Sequence, residues 1–305
     1  MRIASLVPSA TEMLFALGVG EAVVAVTHEC DWPVAAQTLP KLTRSVFAGD
    51  PVTDPAAIDA RVRELVAAGQ PLYELDGELL ERLAVDLIVS QQLCAVCAVS
   101  HPEVCEVAAG LACKPEVLAL DPTGLDEVFD QALELGERCG APSAGRQLRA
   151  SLAARVGAIA AAVASAPERP AVVALEWLDP PFLGGHWVPE MIERAGGRDP
   201  LGRAGERSRT ADWEEIAAAE PEIVVVMPCG LYLDQAHAAA ERFAANLAAI
   251  GADRYVAVDA AASFSRPGPR LADGVELLGH LIHPTLVPAP NPGRGQLRHR
   301  PIGLG

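Results

Sequence analysis

Aromatic residues make up only 4% of this chain, and its 24 lysines and arginines are outnumbered by 40 aspartates and glutamates. The formal charge of −16 argues against a nucleic-acid surface, which needs a basic stripe to neutralise phosphates. It argues equally against docking on anionic lipid. No stretch approaches the roughly 20 apolar residues of a membrane helix, and the alanine-rich 158–164 is broken by polar neighbours too soon. Enzyme signatures are thin as well. There is no Gly-x-Gly-x-x-Gly after the first apolar run, no phosphate loop ending in Gly-Lys-Ser/Thr and no Gly-x-Ser-x-Gly elbow. The opening Met1-Arg2-Ile3-Ala4-Ser5-Leu6-Val7-Pro8 lacks the basic region and long apolar run of a secretory signal. Seven cysteines, an odd number, then suggest reduced thiols and a cytoplasmic location.

What is present is an alternation. Short apolar runs at 3–6, 23–26, 72–75, 87–90 and 117–120 read as strands, with helices beginning near Ala10, Pro55, Gly77, Pro102 and Leu125. Strands alternating with helices imply a mostly parallel sheet covered on both faces. At 305 residues the chain is long enough for two such lobes, since single cores stop growing at about 250–300.

Between the halves the pattern changes. Leu148, Leu152, Val156, Ile159 and Val163 form one helical stripe over 143–166, with Pro142 before it and Pro167 after it. A helix of that length extends about 36 Å and reads as a rigid strut. Strands follow at 172–175, 223–227 and 256–258, with helices at 189–195, 213–219, 233–250 and 269–282. Asp212 and Glu215 have capping-box spacing. The Pro-, Gly- and Arg-rich 288–305 reads as a disordered tail. The expected organisation is an N-terminal α/β lobe (1–142), a linking helix (143–166), a C-terminal α/β lobe (167–287) and that tail.

Three groups of residues carry a family resemblance: Ile3-Ala4-Ser5-Leu6-Val7-Pro8-Ser9-Ala10-Thr11-Glu12; Trp177-Leu178-Asp179-Pro180-Pro181-Phe182 with Gly184-Gly185-His186-Trp187; and Phe264-Ser265-Arg266-Pro267-Gly268. In this order they resemble the cobalamin- and iron-chelate-binding receptors of ABC importers, a class III, periplasmic-binding-protein-like family of helical-backbone metal receptors. The resemblance implies two Rossmann-like lobes joined by one long α-helix, with cobalamin, haem, a siderophore or a metal ion held between them. Two departures stand out: the export signal and lipid-anchor cysteine are missing, and strand-end loops carry cysteines instead. A cytosolic member is therefore expected, with a permease as partner only if a native export signal has been removed.

Ligands of parallel sheets bind at the carboxyl ends of strands. That rule places 8–12, 27–32 and 90–97 of the first lobe, and 176–187, 228–232 and 261–266 of the second, at the binding face. The candidate ligand-binding residues are Ser9, Thr11, His28, Trp32, Trp177, Phe182, His186, Trp187, Tyr232, Phe264 and Arg266. Six of them are aromatic in a chain poor in aromatics, as the flat ring of a corrin or porphyrin would require; the competing reading puts several in lobe cores. His28 is a candidate metal ligand or, equally, a loop cap through hydrogen bonds. Arg266 suits an amide, propionate or phosphate, or an ion pair within the protein.

Cys94 and Cys97 have the spacing that lets two sulfurs reach one metal or each other, and Cys30 in a neighbouring loop is a possible third ligand. A thiolate set favours zinc or an iron–sulfur cluster; the competing reading treats these cysteines as small buried hydrophobes. Cys105, Cys113 and Cys139 read as packing residues. The expected function is a receptor for cobalamin or a related corrinoid rather than an enzyme. The alternative is a thiolate metal or iron–sulfur protein, with catalysis open to it, on the same scaffold.

Overall fold

The structure, a computed structural model, describes residues 1–47, 55–92, 99–290 and 299–303. The chain divides into two compact units, the first comprising Met1–Pro122 and Asp130–Arg149, the second Thr123–Phe129 and Ala150–Gly305.

In the first unit the elements run β1 (Ile3–Ser5), α1 (Pro8–Ala16), β2 (Val23–Val26), α2 (Val34–Gln37), β3 (Thr43–Ser45), α3 (Pro55–Ala67), β4 (Tyr73–Leu75), α4 (Gly77–Leu83), β5 (Leu87–Gln91), α5 (His101–Gly110) and β6 (Glu116–Leu120). Four strands form a parallel sheet in the order β2-β1-β5-β6. Its strands obey the two-residue side-chain period. Ile3, Leu87 and Val89 pack with Met13, Leu14 and Leu135 on one face. Ala4 and Ile88 pack with Leu80, Val104 and Ala108 on the other. Burial on both faces is why these strands read as continuous apolar runs rather than as alternation. The run at 72–75 does not join this sheet: β4 pairs antiparallel with β3, a strand the sequence did not suggest.

Helices α6 (Leu125–Arg138) and α7 (Pro142–Val163) follow. The 22-residue α7 is continuous, as its apolar stripe predicts, and the division between the units falls inside it after Arg149. In the first unit its opening turns approach α6 closely: a Cβ on Gly145 would collide with the Ala132 carbonyl oxygen. Ala144 and Leu148 there cover the core of the first sheet. Leu152, Val156 and Val163 are buried in the second unit.

The second unit contains β7 (Val172–Leu178), β8 (Pro181–Leu183), α8 (Val188–Arg194), β9 (Arg209–Thr210), α9 (Trp213–Ala218), β10 (Ile223–Val226), α10 (Leu233–Arg242), α11 (Ala244–Ile250), β11 (Arg254–Val258), α12 (Ala260–Ser263), α13 (Leu271–Ile282) and β12 (His299–Pro301). The sheet order is β12-β11-β10-β7-β8-β9, with β11, β10 and β7 parallel and the flanking strands antiparallel.

Three sequence expectations change here. The single helix over 233–250 is two helices, broken at Phe243, whose ring stacks on Trp213 at a centroid distance of 6.3 Å. Asp212 stands at the N-cap of α9 without a side-chain capping bond, and Glu215, which accepts from the Asp212 backbone, also pairs with Arg209 at 2.6 Å. Where composition suggests a structureless tail, His299–Pro301 returns to pair with β11.

Candidate functional site

Because β7, β10 and β11 are parallel, their carboxyl ends open at one edge of the second sheet. Backbone bonds tie the loops there together. Cys229 N–H donates to the Glu176 carbonyl at 2.9 Å, Ala261 N–H to the Leu231 carbonyl at 3.1 Å, and Gly230 N–H to Ser265 Oγ at 3.4 Å. The expected loop over 176–187 is in fact largely a hairpin, in which β7 turns at Asp179-Pro180 and β8 pairs back. Trp177 and Phe182 are cross-strand partners in it, both half-buried. The Trp177 indole donates to the Asp179 carbonyl at 3.1 Å. Tyr232 leads into α10 and is 40% exposed, and Arg266 lies half-buried after α12. Trp177, Phe182, Tyr232 and Arg266 therefore meet the requirement that a ligand contact have surface to offer.

Trp187 and Phe264 do not. Both are buried, the Trp187 indole donates to the Phe264 carbonyl at 2.7 Å, and the Phe264 ring packs beside Gly274 of α13. They are core residues, because an aromatic at a strand end serves packing as readily as binding. His186 has a positive φ of 51° and an enclosed Nε2 with no hydrogen-bond partner. Burial, reinforced by the nearby positive charge of Arg207, lowers its pKa.

Sequence reasoning missed Glu176, at the end of β7. Its carboxylate accepts from Ser208 Oγ at 2.5 Å and from Gly185 N–H at 3.4 Å. Burial outweighs both bonds and pushes its pKa up to about 7. Gly185 is required there, since any side chain would strike the Arg207–Ser208 backbone. The Gly-Gly pair was visible in the sequence; Ser208, 32 residues from Glu176, was not.

In the first unit, Ser9 and Thr11 are buried on α1, and Thr11 Oγ1 donates to Ser5 Oγ at 2.8 Å. Thr11 Oγ1 also lies 3.1 Å from Cys30 Sγ. Cys30 is itself buried in the hydrophobic core, so these three lose their expected contact with a ligand or metal. His28 Nδ1 lies 2.8 Å from Thr43 Oγ1, its ring packs 5.7 Å from Tyr73, and Nε2 is 3.3 Å from Glu29. The Nδ1 contact is the loop-capping one, while the buried Nε2 makes no hydrogen bond. Trp32, by contrast, is 40% exposed. Cys94 and Cys97 lie outside the described residues. Among the described residues no three His, Cys, Asp or Glu side chains come together as a metal site would need.

The family model described as periplasmic binding protein matches residues 109–262. The chain belongs to that family. As a periplasmic binding protein it has the two-lobed α/β fold with parallel central sheets joined by a long helix. A periplasmic heme binding protein from Pseudomonas aeruginosa superposes with a TM-score of 0.69 at 22% identity, covering 95% of each chain. A periplasmic vitamin B12 binding protein of Vibrio cholerae gives 0.65 at 21%, covering 92% of this chain and 96% of that one. An ABC-type Fe3+-hydroxamate transport protein from Saccharomonospora viridis gives 0.63 at 20%, covering 92% of each. No curated protein matches the chain. At these identities the superpositions establish the fold and leave the ligand open.

Proposed function

We propose that this periplasmic binding protein is a receptor for cobalamin or a related corrinoid, holding its ligand without turning it over. The supporting observation is the edge of the second unit, where Trp177, Phe182 and Tyr232 keep exposed surface beside the half-buried Arg266. A large ring bearing amide side chains suits such an edge: the rings contact its faces and rim, and a guanidinium donates to peripheral carbonyls. Solved relatives that bind vitamin B12 and heme support a tetrapyrrole-sized ligand. The exposed, unbridged thiols Cys105 and Cys113 support a reducing compartment, and we place the protein in the cytoplasm. The thiolate-metal alternative is set aside, because Cys30 is committed to the core.

Equilibrium dialysis against cyanocobalamin and, separately, hemin tests the proposal. Retention of about one cobalamin per chain is expected. Retention of hemin alone would reassign the ligand to a porphyrin, and retention of neither would remove the receptor reading.

A further inference from the structure

Three chemistry-bearing residues of the first unit converge at the carboxyl end of β5 and the start of α5. Ser90, in β5 and buried, places Oγ 2.9 Å from His101 Nδ1. His101 opens α5, and its Nε2 lies 3.4 Å from Cys105 Sγ, one turn further along. With its proton on Nδ1, donated to Ser90 Oγ, the imidazole presents the Nε2 lone pair to the Cys105 thiol. That is a nucleophile, a base in reach of it, and a third group orienting the base. The helix does not need His101 as a cap: Ser100 Oγ already accepts from Glu103 N–H.

Sequence reasoning took Cys105 for a packing residue; it is exposed. It borders a depression of about 280 Å³ whose walls are Ala108, Ala109, Pro115 and Val117, with Lys114 among them. The walls are apolar and the single cation is the Lys114 ammonium, which donates to the Ala109 carbonyl. A small organic group carrying a negative charge has the chemistry to settle there. Cys113 is also exposed, but it has no histidine partner among the described residues.

We propose that Cys105 is a reactive thiol, with His101 as its base and Ser90 positioning His101, and that it forms mixed disulfides with small anionic disulfides. The reacting species is the thiolate. His101 Nε2 takes the Cys105 proton, and Sγ attacks one sulfur of the incoming disulfide. A new sulfur–sulfur bond forms as the old one breaks, and the departing thiolate takes the proton from His101. Cys105 is oxidised, the released half is reduced, and the disulfide itself is the oxidant. This site is independent of the receptor function and stands or falls separately.

The test treats the full-length protein with less than one equivalent of dithiobis-nitrobenzoate near pH 7 and maps the labelled peptides by mass spectrometry. Cys105 should react at least about a hundredfold faster than Cys113, the low end of what a positioned base contributes. His101→Gln should bring Cys105 down to the rate of Cys113. Ser90→Ala should slow Cys105 while leaving Cys113 unchanged, a selective effect that general loosening of the unit would not give. Equal labelling of the two thiols in the unmodified protein would overturn the proposal, even if no variant folds. So would a Cys105 rate indifferent to His101→Gln.

Discussion

The indole nitrogen of Trp187 donates to the carbonyl oxygen of Phe264 across 2.7 Å, with both residues buried in the second unit. One bond thereby fastens the start of α8 to the end of α12. Replacing Trp187 with Phe removes the donor, shrinks the ring and leaves a buried carbonyl unpaired, which costs about 1–3 kcal/mol. Urea unfolding should show that loss. Ligand affinity should change much less, because neither side chain has surface to give a ligand.

Glu176 predicts a pH dependence. Burial raises its folded-state pKa to about 7, above the ordinary 4.5. The folded state therefore holds the proton more tightly than the unfolded state. Stability from this group is full below about pH 4.5 and declines as pH rises through 7. Each tenfold gain in proton affinity is worth about 1.4 kcal/mol at most, and partial exposure reduces that. Glu176→Gln should thus raise stability by about 1–2 kcal/mol at pH 8 and by little at pH 4. Paired denaturation curves at the two pH values check the sign.

Arg155 on α7 reaches two carboxylates of α13 at once, Glu276 at 2.8 Å and Asp273 beside it. Burial pulls the guanidinium pKa down, but the two carboxylates more than restore it, so it stays charged. Arg155→Met leaves Asp273, itself buried, without its hydrogen-bonded cation and with only the charge of Arg270 nearby. Removing one partner of such a pair is costly; because Arg155 keeps some exposure, a loss of about 2 kcal/mol is expected in chemical denaturation.

Gly145 permits the close approach of α7 to α6 in the first unit. Gly145→Ala would drive a methyl group into the Ala132 carbonyl oxygen. Forced separation of packed elements costs about 1–3 kcal/mol. The melting temperature should fall although alanine is the better helix former. A rise would mean that the helices have room to spare.

Much of the fold could be read ahead of the structure wherever one periodicity held over a whole element. The stripe from Leu148 to Val163 predicted α7, and the apolar runs at 3–6 and 87–90 predicted the two central strands of the first sheet. The elements that escaped are short and set by distant partners: β3 exists because β4 pairs with it, and β12 because β11 offers an edge. Phe243 broke an otherwise uniform helical pattern through a tertiary contact with Trp213. The candidate site was half legible for the same reason. Proximity to a strand end is a sequence property, and it places Trp177, Phe182, Tyr232 and Arg266 in the loops and hairpin at the strand ends, where they keep surface. Direction is not, and it sent Trp187 and Phe264 into the core. The pairs Glu176–Ser208 and Ser90–His101 join residues that no local pattern connects.

The most direct test of the receptor account is a titration of cyanocobalamin, followed by intrinsic fluorescence, into the native protein and into Trp177→Ala. The account predicts saturable one-to-one quenching in the native protein. It also predicts affinity about tenfold weaker in the variant, the equivalent of about 1.4 kcal/mol from one lost ring contact. Identical binding curves for the two proteins would contradict it.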